Sequence, residues 1–232
     1  QRNKQKLDTL EKNCLWFSTY NQLNDSYEFK GFYFDISILG VEDDILEKFN
    51  ALMDSYRNRK LICSFSSSSP NNMPMWTHYA NNHKGFCIQY RVLRKPSPFN
   101  LYPVIYLDKR QRFTDYDMAK DYIALFNQFK TPDYEAAKKI DFRYNHLAML
   151  KHSFWQYEDE YRIVVENQGI QSIPICEIPF AALSIECIYI GMNCSQMNAD
   201  CLRHIAQTNG YEHRTMEYDD SSVDFALRSK GS

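Results

Sequence analysis

Glycine is scarce in this chain, with seven among 232 residues, and the glycine-dependent phosphate cradles are missing. There is no G-x-G-x-x-G and no G-x-x-x-x-G-K-[S/T], which excludes a Rossmann dinucleotide loop and a P-loop. Phosphates would have to be held by side chains and strand-end amides. The G-x-S-x-G nucleophile elbow is absent as well. No apolar run approaches the roughly 20 residues of a membrane span, and no segment resembles a signal peptide. The seven cysteines (Cys14, Cys63, Cys87, Cys176, Cys187, Cys194 and Cys201) are odd in number and contain no C-x-x-C pair, so they read as buried, reduced thiols of a cytoplasmic protein. Neither sign of charge is in excess: 27 Lys plus Arg face 29 Asp plus Glu. That balance speaks against broad capture of duplex nucleic acid and leaves a local basic patch open. His78 and His83 are too far apart for one helical face and have no cysteine or carboxylate at ligand spacing, so no metal is expected. No cysteine sits in a signature for a Cys-His nucleophile pair.

What the chain has is aromatic residues, with 17 Tyr and 15 Phe, which serve a core by default and can line a pocket or stacking surface. The length suits a single domain over 1–232, with a polar tail from about 219 that is expected to fray.

The most informative stretch is Lys151 to Val165, KHSFWQYEDEYRIVV. Strand alternation from Glu158 onward puts Tyr161, Ile163 and Val165 on one face and Glu158, Glu160 and Arg162 on the other. Such a face is either a solvated sheet surface or the floor of a cleft where a carboxylate acts on a polar ligand. The preceding Phe154, Trp155 and Tyr157 can supply an apolar wall that desolvates a carboxylate or stacks on a ring.

The rest of the chain reads as mixed elements. A surface helix is expected from Lys4 to Lys12, ended by Asn13, then a strand from Cys14 to Ser18 and an aromatic strand from Phe29 to Phe34. In the loop between the strands, Asn24 and Asp25 are either turn residues capping their own backbone or ligand contacts. An amphipathic helix is expected from Val41 to Tyr56, closed by Arg57, Arg59 and Lys60, whose charges suit its dipole. Leu61 to Ser66 reads as a buried strand, Met75 to Ala80 as a short helix and Phe86 to Val92 as a further strand. Ser64 and Ser66 are either ligand donors or strand-end hydrogen-bonders. Beyond these come a strand at Tyr102 to Leu107, mostly helical segments over Asp108 to Asp133 and Tyr134 to Ser153, strands at Ser172 to Ile178 and Ser184 to Ile190, a helix at Ala199 to Thr208 and an edge strand at Glu212 to Glu217. His146 and His152 are read as surface or satisfied core histidines.

Four runs in order, LWFSTYNQLNDSYEF from Leu15, CSFS from Cys63, MWTHYANNHKGFCIQY from Met75 and K-x-x-x-W-x-x-E-x-E-Y-R from Lys151 to Arg162, resemble the bacterial family of domain of unknown function 2971. Members usually read Asn-Asp-Pro where this chain has Asn24-Asp25-Ser26. They also begin with an aromatic, basic strand, which the resemblance places upstream of residue 1. More distantly, the order of elements resembles the ADP-ribosyltransferase superfamily, including its toxin and abortive-infection members. That resemblance implies an α+β fold with a split, bent, mostly antiparallel sheet flanked by helices. It implies NAD as substrate, no metal, Ser64 and Ser66 lining the NAD cleft, Trp76 or Tyr79 stacking, and Glu158 and Glu160 matching the E-x-E motif with Glu160 as the catalytic carboxylate. Asn24, Asp25, Arg162 and Trp155 complete the expected binding set. The expected activity is that of a bacterial toxin or anti-phage defence effector acting on a protein or nucleic-acid acceptor, with an antitoxin or defence protein as a possible partner. The alternative is a non-catalytic module that binds a nucleotide or partner protein through the same aromatic cleft.

Overall fold

The computed structural model describes residues 2–34, 47, 54, 57–93, 101–113, 145–166, 173–175 and 183–231. These residues form an α+β fold with mostly antiparallel open sheets and few helices. Helix α1 (Arg2–Glu11) leads into β1 (Leu15–Thr19), and β2 (Phe32–Phe34) follows a loop. Strand β3 (Lys60–Ser66), helix α2 (Met73–Tyr79) and β4 (Phe86–Val92) come next. The short strands β5 (Tyr102–Pro103), β6 (Ile105–Leu107), β7 (Gln111–Phe113) and β8 (Leu150–His152) precede a 3-10 segment at Ser153–Glu158. Then come β9 (Glu160–Glu166), β10 (Ile173–Ile175), β11 (Leu183–Ile190), α3 (Gln196–Asn209), β12 (Glu212–Tyr218) and β13 (Leu227–Gly231).

Two sheets carry most of this. The first is five-stranded, in the order β10-β1-β3-β9-β5, and its pairs are all antiparallel. The second is four-stranded, β13-β12-β11-β4, with β11 and β12 parallel and α3 as their crossover. Two parallel pairs, β2 with β7 and β6 with β8, complete the pairing. Phe17, Leu61, Cys63, Ile163 and Leu183 make one core cluster. The buried stripe of α3 (Ala199, Leu202, Ile205, Ala206) packs with Ile188 and Ile190 of β11 and Leu10 of α1 in another. Apolar residues at helical spacing on α3 meet Ile188 and Ile190, two apart and so on one face of β11.

The α2–β4 junction shows local strain. Asn81, Asn82 and His83 have φ of 51°, 53° and 64°, three left-handed residues in a row without a glycine. Each costs about 1–2 kcal/mol, so neighbouring contacts must hold them. The Asn82 and His83 amides donate to the Thr77 and Trp76 carbonyls, and the Asn193 amide donates to the His83 carbonyl at 3.0 Å.

Several expectations are corrected. The Tyr102–Leu107 strand is two strands, because the Val104 amide donates to Glu160 of one sheet and the Ile105 amide to Met149 near the other. The helix expected up to Ser153 has given way to β8 by Leu150, where β6 offers a parallel partner. The aromatic strand expected from Phe29 starts at Phe32, since Phe29 has φ 61° and belongs to the preceding turn. The Glu212–Glu217 strand is internal, and the tail expected to fray supplies the edge strand β13, anchored by buried Leu227. Cys14 is disulfide-bonded, against the expectation of seven reduced thiols. Every other cysteine is distant in sequence, so spacing carried no trace of it. Cys63, Cys87, Cys187, Cys194 and Cys201 are free. The amphipathic helix expected at Val41 to Tyr56 and most of those expected over 108–144 lie outside the described residues. Among the described residues, no helix is long and apolar enough to cross a membrane.

A Cβ built on Gly191 would stand 2.2 Å from the His83 carbonyl oxygen, and backbone cannot yield as a side-chain tip does. Gly191→Ala is therefore expected to lose about 2–3 kcal/mol through overpacking. Urea denaturation measures this, and a midpoint equal to the parent's would refute the close-packed junction.

Candidate active site

Arg162 is fully buried on β9. Its Nη1 and Nη2 donate to Oε2 and Oε1 of Glu28 at 2.7 and 2.6 Å, while Nε and Nη2 donate to Oε1 and Oε2 of Glu160 at 2.7 and 2.9 Å. Nη1 also donates to the Ala148 carbonyl. The planar guanidinium thus pairs in forked fashion with a carboxylate on each side, a geometry that lysine cannot copy.

Glu158 and Glu160 come to the same cation although one ends a 3-10 turn and the other opens a strand. Between them Asp159 adopts φ 43° and ψ 53°, a left-handed conformation that Asp tolerates better than most residues. Its carbonyl is held by the Ser67 amide at 2.9 Å. The turn brings both carboxylates to Lys151 on β8, whose Nζ donates to Glu158 Oε2 at 2.5 Å and Glu160 Oε2 at 3.0 Å. The same ammonium lies 4.9 Å from the centroid of the Trp155 ring. Glu28, Lys151, Glu158, Glu160 and Arg162 are all at most 5% exposed. The face that alternation placed on solvent or in a cleft is therefore sealed, and its charges are compensated internally.

The cluster meets exposed groups at two points. Tyr79, which is 44% exposed, donates its hydroxyl to Glu158 Oε1. Exposed Asn24 donates to Tyr79 Oη and, at 3.5 Å, to Glu158 Oε1. At the other carboxylate, exposed Ser64 contributes a hydrogen bond to Glu160. Three carboxylates stand against two cations, which leaves one surplus negative charge among the described residues.

Burial by itself would raise the Glu160 carboxyl, but the charge and hydrogen bonds of Arg162, followed by Lys151, take it down to about 2. Glu28 goes the other way, because burial outweighs the same arginine. Burial, then the bond to Glu158, pushes the Tyr79 phenol far up, so it stays a donor.

The residues singled out in the sequence divide into two groups. Asn24, Ser64, Tyr79, Trp155, Glu158, Glu160 and Arg162 come together. Ser66 stands beside them and donates to the Glu158 carbonyl at 2.6 Å. Trp76 is 3% exposed in the core with Tyr189, Met216 and Leu227, its indole donating to the Pro70 carbonyl and its ring stacked on His83. Asp25 accepts from the Tyr27 amide at 2.8 Å as a turn cap, and its second oxygen is buried without a partner. Glu28 and Lys151 were not singled out as site residues. Both stand in the family-like runs, Glu28 near the end of the one from Leu15 and Lys151 at the head of the last, but Glu28 lies 134 positions from Arg162 and gave no local sign of the pairing. Among the described residues, no group of three or more His, Cys, Asp or Glu is placed to hold a metal.

The model of the family described as "Protein of unknown function (DUF2971)" matches residues 75–163. That stretch includes Tyr79, Lys151, Glu158, Glu160 and Arg162, and the match supports the family resemblance drawn from the sequence. No curated protein and no solved structure matches the chain.

Arg162→Met would leave Glu28 buried without its cation and Glu160 with Lys151 alone, at an expected cost of about 3–5 kcal/mol, read from urea denaturation. The pH dependence follows from the directions of shift. Glu160, with a folded value near 2 against an ordinary 4.5, contributes stability that is present above 4.5 and lost as the pH falls towards 2. Glu28, raised in the fold, acts in the opposite sense. The acid limb of a stability-versus-pH curve should therefore be shallower in Glu160→Gln than in the parent, and identical limbs would contradict the pairing.

Proposed function

We propose that this chain binds NAD and cleaves its nicotinamide–ribose bond, passing ADP-ribose to an acceptor, as a bacterial toxin or anti-phage defence effector of the ADP-ribosyltransferase type. One observation carries the reading: a buried E-x-E pair with a surplus negative charge lies directly beneath Asn24, Ser64 and Tyr79, which are exposed. Cleavage of the bond between ribose C1′ and the pyridinium nitrogen sends its electron pair to that nitrogen and leaves positive charge on the sugar. A fixed carboxylate stabilises that charge, and it acts more strongly where water is excluded. The acceptor's lone pair then forms the new bond to C1′, and the acceptor proton passes to a carboxylate.

Within the pair we assign the working role to Glu158. Both Glu160 oxygens are committed to Arg162 and Lys151, whereas Glu158 Oε1 is reached by Tyr79 and Asn24 on the exposed side. The sequence favoured Glu160, which becomes the group that anchors Lys151. In this reading Asn24 and Ser64 contact ribose hydroxyls. A second reading, a non-catalytic recognition module, draws support from the completeness of the hydrogen bonding, since all four oxygens of the pair already have donors.

Nicotinamide release from NAD, followed by chromatography, tests the assignment. Glu158→Gln should lower turnover by about 10²-fold or more. Normal turnover in that variant would discard Glu158. A parent protein with neither turnover nor calorimetric heat on NAD titration would discard the enzyme in favour of the recognition module.

A further inference from the structure

Aromatic rings continue outward from the carboxylate pair across two elements. Tyr79 contacts His78 with centroids 6.5 Å apart, His78 contacts Tyr157 at 6.0 Å, and Tyr157 contacts Trp155 at 6.2 Å. His78 is exposed, and Tyr157 and Trp155 are half-buried. Phe154, next along the 3-10 segment, is 83% exposed and lies against His152 at 4.2 Å. An apolar ring that open, held in place by a neighbouring ring, is a surface built for something flat.

Charge marks the far end of this row. His152 is paired with Leu107, and the chain then turns through Asp108, Lys109 and Arg110. Arg110 Nε donates to the Lys30 carbonyl at 2.7 Å, which brings Lys30 to the same place. Lys30 and Lys109 are exposed, with exposed Asp108 beside them. The row therefore runs from a basic rim at Phe154 to a carboxylate at Tyr79. Phosphates suit the first end and a neutral base the second. Stacked bases with a cationic track beside them are the recurring requirement of single-stranded nucleic acid, and a duplex hides the ring faces that such a row needs.

We infer that this aromatic row holds single-stranded nucleic acid and delivers an unpaired base to the Glu158 site as the ADP-ribose acceptor. The delivery step rests on the NAD reading above, whereas the binding surface does not. In that step a base nitrogen supplies the lone pair to ribose C1′, nicotinamide leaves with the electrons of the broken bond, and the base's proton passes to Glu158.

The test uses the full chain, a fluorescent mixed-sequence strand of about twelve nucleotides and the matching duplex, with binding followed by anisotropy. The single strand should bind at least about tenfold more tightly than the duplex. Phe154→Ala and His78→Ala should each weaken it by about tenfold, with Phe154→Trp retaining affinity. The two lysines predict a slope of about −1.4 for log affinity against log salt, made shallower by Lys30→Glu and Lys109→Glu. Equal affinity for the duplex, no binding, or a Phe154→Ala protein that binds as the parent does would overturn the surface. NAD labelled on its adenylate phosphate separates the two claims. Nicotinamide release without label on a bound strand would overturn the strand's role as acceptor. No nicotinamide release at all, with binding intact, would overturn the NAD reading and leave the surface standing.

Discussion

One guanidinium, that of Arg162, joins parts of the chain that would otherwise have no reason to meet. It sits on β9 between Glu28, from the loop after β1, and Glu160, and it also binds the Ala148 carbonyl just before β8. Removing three carboxylates, an arginine and a lysine from water is expensive, and a packed apolar cluster of similar volume often matches such an arrangement in stability. What the charges contribute is selectivity of arrangement. A Leu tolerates many neighbours, but a buried guanidinium tolerates only partners that accept its five N–H groups in the right directions.

From that constraint the position of Glu158 follows. With Glu160 fixed by Arg162, Lys151 is fixed by Glu160, and the left-handed Asp159 leaves Glu158 on the other side of the same ammonium. The outer oxygen of Glu158 is then the end of the cluster that meets Tyr79 and Asn24. A cluster with one more carboxylate than cation, next to a row of rings, is the arrangement expected where positive charge develops on a ligand. The same surroundings keep the Tyr79 phenol protonated, so it points a hydrogen at the carboxylate and steadies its orientation.

Much of this was legible in the sequence where the signal was local. Alternation placed Glu160 and Arg162 on one face and Ile163 on the other, and the strand at Ser184 to Ile190 and the helix at Ala199 to Thr208 appear with only small changes of boundary. The Glu158 turn was not legible, because a left-handed Asp159 interrupts a run whose side chains alternate as a strand would. Nor could alternation say whether a charged face meets water, since that depends on Glu28 and Lys151, which come from other segments. Trp76 shows the same limit from the other side. Its place in an aromatic helical turn suited a stacking residue, and its indole is instead satisfied by the Pro70 carbonyl inside the core. The tail after Asp219 looked polar enough to fray, yet one residue, Leu227, fills a core position and fixes the strand.

The most direct measurement of the central claim is a crystal structure of the parent protein soaked with NAD. The account predicts density for the nicotinamide riboside over Tyr79 and Asn24, with ribose C1′ facing Glu158 and the Arg162 pairs unchanged beneath it. Density at a site remote from Glu158, or Glu158 turned away from a ligand bound near it, would contradict the account.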